Sequence, residues 1–121
     1  QISKELVLGK LENIDTVLFY SGWEHYFYDE RVTSNYPTLT NDACNYLIEK
    51  GIRIVGVDYL SVDSIHSSDF NVHKILLGNG MILYENLCNL SNLIDQIFEF
   101  QGIPLLVEAD GIPVRAIAIK R

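Results

Sequence analysis

Short apolar runs separated by small, polar and turn-forming residues set the rhythm of this chain. Residues 15–20 (DTVLFY) form one such run, ended by Ser21-Gly22, and predict a buried strand. Residues 52–57 (IRIVGV) are β-branched and predict a second strand. Residues 80–84 (GMILY) predict a third. Between the first two lies a helical pattern in which Ala43, Leu47 and Ile48 share one face, with Cys44 beside them. Thr40 or Asn41 can cap its start with a side-chain oxygen, and Gly51 stops it in the left-handed conformation. Residues 72–77 (VHKILL) predict a short helical turn stopped by Gly78. Residues 4–12 predict a short helix interrupted at Gly9, and residues 89–94 another. Strands over 103–108 and 113–119 flank Asp110-Gly111, a hairpin signal. Strands and helices in alternation predict a layered α/β fold, and the absence of repeats, low-complexity stretches and linkers predicts one domain over residues 1–121.

Composition narrows the function. With 48% hydrophobic and 21% charged residues, the chain can bury a core and is not intrinsically disordered. Its net charge of −7 and lack of a basic cluster argue against nucleic acid as a partner. No apolar run is long enough to cross a bilayer, so no membrane partner is expected. Cys44 and Cys88 lack metal-type spacing and read as reduced core thiols. No targeting signal is visible, and a cytoplasmic protein is the expectation.

The long segments between elements carry the candidate chemistry. Residues 23–38 are an aromatic-rich loop of a length that is often functional. Trp23, at the exit of the first strand, can wall a substrate pocket or fill the core. Residues 58–71 form a polar loop at the end of the second strand, where open α/β sheets place ligands. His73 follows that loop, and Glu85 directly follows the third strand. An imidazole and a carboxylate are both good ligands for zinc or manganese. Glu85 could instead cap the next segment or pair with Arg53 or Arg115. Asp58, Ser61 and Asp63 could serve turn chemistry, or could hold a metal-binding histidine such as His73 in orientation.

Four stretches in order carry a family likeness: DTVLFYSGW (15–23), YPTLTNDACNYLIEKGIRIVGVDYLSVDS (36–64), HKILLGNGMILYENLCNL (73–90) and PLLVEADGIPVRAIAI (104–119). Together they resemble the cyclase family, which includes kynurenine formamidase and isatin hydrolase. The resemblance implies a swivelling β/β/α fold, a homo-oligomer, and a small-molecule substrate. It implies a hydrolase of an amide or lactam, of aryl formamidase or isatin hydrolase type, using zinc or manganese. It also implies that His73 and Glu85 are metal ligands. Family members carry an upstream motif, HxGTHxDxPxH, that supplies the remaining ligands, and residues 1–22 contain nothing like it. The chain is therefore expected to be the C-terminal part of such a fold with its N-terminal part missing. The alternative is a noncatalytic oligomeric binding module of the same fold.

Overall fold

Three short strands pair in parallel at the centre of the molecule: β1 (Thr16–Phe19), β2 (Ile54–Val57) and β3 (Ile82–Tyr84), in the order β1-β2-β3. The computed structural model describes residues 1–120. The register sets Phe19 beside Val57 and Gly56 beside Tyr84, so all three strands end at one edge of the sheet. The middle strand β2 is buried along Val55, Gly56 and Val57, as a strand covered on both faces should be. The outer strand β1 is only half-buried, less than its apolar sequence predicts, because it pairs on one side alone.

Helix α1 (Asn41–Glu49) crosses between β1 and β2. Thr40 is its cap: its hydroxyl accepts the backbone N–H of Ala43. Gly51 closes the helix at φ +77°, a conformation that glycine adopts at least cost. Ala43, Cys44, Tyr46 and Leu47 are buried on α1, while Ile48 packs at the margin of the core. Helix α2 (Asn71–Gly78) lies between β2 and β3, buries Val72 and Leu76, and packs against α1. The core is thus α1 and α2 against the sheet, centred on Leu47, Val55, Val57 and Leu76.

Strands β4 (Glu99–Pro104) and β5 (Val114–Ile119) form a separate antiparallel pair. The hairpin joins the body through Tyr84, whose hydroxyl donates to the Gly102 carbonyl at 2.5 Å and whose ring meets Phe100 edge-on. A side chain at position 102 would collide with the Tyr84 ring.

Several expectations change. The segment 4–12 holds only a three-residue 3-10 turn, Lys4–Leu6. The residue 103–108 strand lies earlier in the chain, because pairing with β5 starts at Glu99 and stops at Pro104, which lacks an N–H to continue the ladder. Asp110-Gly111 belongs to a longer 105–113 connection, not to a two-residue turn, and the apolar Leu105, Leu106 and Val107 are exposed there. Cys44 is buried, but Cys88 is exposed, and neither forms a disulfide. Residues 23–38 contain two 3-10 turns, Trp23–Tyr26 and Glu30–Thr33. Among the described residues no helix is long and apolar enough to cross a membrane.

Candidate functional site

The common strand edge collects the polar residues. Ser21 follows β1, Asp58 follows β2 and Glu85 follows β3. Parallel strands put their carboxyl ends side by side, so residues far apart in sequence converge there.

Asp63 is the most connected of them. It is 5% exposed, and its Oδ1 accepts the Val72 N–H at 3.0 Å. Its Oδ2 accepts the His73 N–H at 2.9 Å and lies 2.8 Å from His73 Nδ1. One carboxylate thus covers the first turn of α2 and holds the ring of a residue in that turn, satisfying N–H groups that a helix start leaves unpaired. Burial raises the Asp63 carboxyl pKa, but hydrogen bonds from His73 and Val72 outweigh it and hold the group below its ordinary value. The Ser61 hydroxyl accepts the Asp63 N–H at 3.3 Å, an ordinary turn contact.

The other ring nitrogen of His73 faces Glu85, with Nε2 and Oε1 3.4 Å apart. The same Oε1 accepts the Val62 N–H at 3.0 Å. Adjacent residues 62 and 63 therefore orient Glu85 and His73 respectively. Both side chains remain partly open, at 26% for His73 and 31% for Glu85. The salt bridges to Arg53 or Arg115 that the sequence left open for Glu85 do not form.

Asp58 acts elsewhere. It is 2% exposed, and its carboxylate accepts the Ser21 N–H at 3.0 and 3.1 Å and the Ser21 hydroxyl at 2.7 Å. The Ser21 oxygen in turn accepts the Trp23 N–H at 3.2 Å. Trp23 meets Tyr26 and Tyr36 edge-on, and its indole N–H donates to the Val32 carbonyl at 3.4 Å.

Tyr36 and Tyr59 are the residues that sequence reasoning missed. Their rings stack at 5.4 Å, and the Tyr36 hydroxyl donates to the Asp63 carbonyl at 2.9 Å. The Trp23 loop is thereby tied to the segment that positions His73. Desolvation raises the Tyr36 phenol pKa, helped by the charges of Glu85 and Asp63. The Tyr59 hydroxyl is buried with no hydrogen-bond partner, and burial drives its phenol far above its ordinary value. No local pattern marks either residue, because their roles depend on long-range packing.

Among the described residues no three His, Cys, Asp or Glu side chains cluster as a complete metal cage. Two open grooves of about 500 Å³ run elsewhere, along β1 and beneath the hairpin, and His73 and Glu85 line neither.

A family model described as "Putative cyclase" matches residues 3–64. A kynurenine formamidase of Bacillus cereus (strain ATCC 14579) is 35% identical over 115 residues, covering 94% of this chain and 54% of that protein. A span that long necessarily includes both His73 and Glu85. A Bacillus stearothermophilus structure described as a "predicted metal-dependent hydrolase" superposes with a TM-score of 0.72 at 27% identity, over 97% of this chain and 56% of that one. A second structure, of a "potential metal-dependent hydrolase with cyclase activity", gives 0.74 at 27% identity, over 97% and 57%. The chain thus spans little more than half the length of these relatives.

Proposed function

Because the chain belongs to the cyclase family, whose relatives include kynurenine formamidases, we propose that His73 and Glu85 are two ligands of a divalent metal in an amide hydrolase. The 3.4 Å between Nε2 and Oε1 carries this reading. Two donor atoms about 2.0–2.2 Å from one ion sit at such a separation. The donor types suit zinc or manganese. Catalytic zinc ordinarily has three protein ligands, so a further one is to be sought outside this pair.

A bound ion of this kind supplies Lewis acidity and makes water a competent nucleophile near neutral pH. The chain's own residues do the rest. Glu85 brings negative charge, and the Val62 N–H keeps its carboxylate aimed. Trp23 offers an aromatic wall beside Tyr26 and Tyr36, suited to the ring of an aryl formamide or an aryl-fused lactam.

The test is elemental analysis of purified protein and of Glu85→Ala. Zinc or manganese near one per chain, lost in the variant, is the expected result. Metal-free wild type, or undiminished metal in Glu85→Ala, overturns it.

One observation favours a second reading, a noncatalytic oligomeric binding module: apolar side chains are exposed together at the end of β4 and just after it. The exposed Ile103, Leu105, Leu106 and Val107 would then serve self-association. Metal-free protein that forms a homo-oligomer and hydrolyses no aryl formamide is its signature.

A further inference from the structure

We infer that Asp63 is a positioning residue that fixes the tautomer of His73, placing the proton on Nδ1 and directing the Nε2 lone pair at Glu85. The inference rests on the metal reading above but concerns an atom-level property of this chain by itself.

The argument starts from what each group can donate. An ionised carboxylate only accepts hydrogen bonds. Oδ2 of Asp63 lies 2.8 Å from His73 Nδ1, so a neutral ring must carry its hydrogen on Nδ1 to make that bond. Nε2 then holds a lone pair, and it faces the Glu85 oxygen 3.4 Å away. Two acceptors turned toward one another repel, unless a cation, or a second ring proton on Nε2, sits between them. The arrangement therefore prepares a cation position before any cation arrives.

The backbone supports the same geometry. Oδ1 and Oδ2 of Asp63 also accept the N–H groups of Val72 and His73. The ring and its own main chain are gripped by one side chain, so the carboxylate is fixed by the start of α2 and turning the imidazole over forfeits the Nδ1 bond. Val62, the preceding residue, holds the Glu85 oxygen that faces Nε2. Tyr36 fixes the Asp63 carbonyl from the other side, at 2.9 Å. Carboxylates behind metal-binding histidines commonly raise metal affinity about 10- to 100-fold.

Asp63→Ala is the informative variant. Alanine removes the oxygen that accepts Nδ1–H, together with the acceptors of the Val72 and His73 N–H groups. Nothing then holds the hydrogen on Nδ1, and it can move to Nε2, where Glu85 accepts it and the metal-facing nitrogen is blocked.

The experiment is long-range ¹H–¹⁵N NMR of the His73 ring, read at a pH where the ¹⁵N shifts themselves show the ring neutral, on the 121-residue chain and on Asp63→Ala. The expected result is the Nδ1–H tautomer in the wild type and Nε2–H in the variant. An Nε2–H tautomer in the wild type overturns the proposal outright, even if the variant fails to fold. An unchanged tautomer in a folded variant also overturns it. Zinc added to both samples separates the two claims. A wild-type ring with the expected tautomer that ignores zinc refutes the metal reading alone. Zinc binding weakened 10- to 100-fold in the variant supports both.

Discussion

Asp58 closes on Ser21 across the ends of two neighbouring strands, accepting both its backbone N–H and its hydroxyl. The contact joins residues 37 positions apart and fixes how the chain leaves β1 toward Trp23. Hydrogen bonds to a charged group contribute about 1.5–3 kcal/mol, and a buried donor left unpaired costs a similar amount. Asp58→Asn, which turns one acceptor into a donor, is expected to lower stability by about 2 kcal/mol. Ser21→Ala keeps the Ser21 N–H bonds to Asp58 but loses the hydroxyl bond and the Trp23 N–H contact, and should cost about 1 kcal/mol. Urea unfolding reads both. Trp23 emission should shift in the folded state of each variant, because the Ser21 oxygen holds the Trp23 N–H.

The hairpin depends on one close approach. A Cβ at position 102 would lie 2.4 Å from Tyr84 Cε1, so Gly102→Ala forces the ring or the hairpin aside. Overpacking of this kind costs typically about 1–3 kcal/mol. Tyr84→Phe removes only the hydroxyl bond to the Gly102 carbonyl and should cost about 1 kcal/mol. Amide exchange should report the damage locally: faster exchange in β4 and β5 for Gly102→Ala, with β2 still protected. Equal loss of protection in β2 would show that the hairpin is not a separable unit.

Elements with local signals were legible in the sequence, and those set by distant pairing were not. Thr40 and Gly51 bracket α1 because capping and left-handed turns depend on neighbouring residues. Strands β2 and β3 stand out as apolar runs between breakers. Strand β4 does not, since Glu99, Gln101 and Gly102 dilute its pattern while the more apolar 103–107 run lies mostly in a loop. Pairing with β5 and docking on Tyr84 decided that register. At the site, His73, Glu85 and Asp63 were named from sequence and do meet in space. Asp58 was grouped with them, but it bonds Ser21, because its position directly after β2 faces the end of β1. Tyr36 carried no signal at all, since its link to Asp63 spans 27 positions.

Phe70 offers a test of backbone strain. It sits at φ 48° and ψ 46°, immediately before α2. The other non-glycine residues with positive φ among those described are Asn13, Asn86, Asn89 and Asp95, the side chains that tolerate this region best. A phenylalanine there costs about 1–2 kcal/mol, and its side chain is half exposed, so burial offsets little of it. Phe70→Asn should therefore raise stability by about 1 kcal/mol, read as a higher urea midpoint with an unchanged slope. Its ring also lies edge-on to His73 at 6.0 Å. A variant that gains stability but weakens zinc binding would place Phe70 among the groups for which strain is kept for function.

Cys44 should make the folded protein sensitive to alkali. Burial, and then the nearby charge of Asp63, push its thiol up to about 11. In the unfolded chain the thiol ionises near its ordinary value of about 9. Well below pH 9 both states keep the proton, and Cys44 contributes no pH dependence. Between about 9 and 11 the unfolded state releases its proton while the folded state retains it, so the unfolded state binds fewer protons and stability falls as pH rises. A two-unit gap corresponds to roughly 2–3 kcal/mol lost across that window, with the loss levelling off above it. Cys44→Ala should flatten this part of the stability curve, although the cavity lowers the whole curve. Thiol labelling supplies an independent check. At pH 8, Ellman's reagent should titrate the exposed Cys88 quickly and reach Cys44 only on addition of denaturant. Rapid reaction of both thiols in the native protein would show that α1 opens far more readily than its fully buried Cys44 and Leu47 indicate.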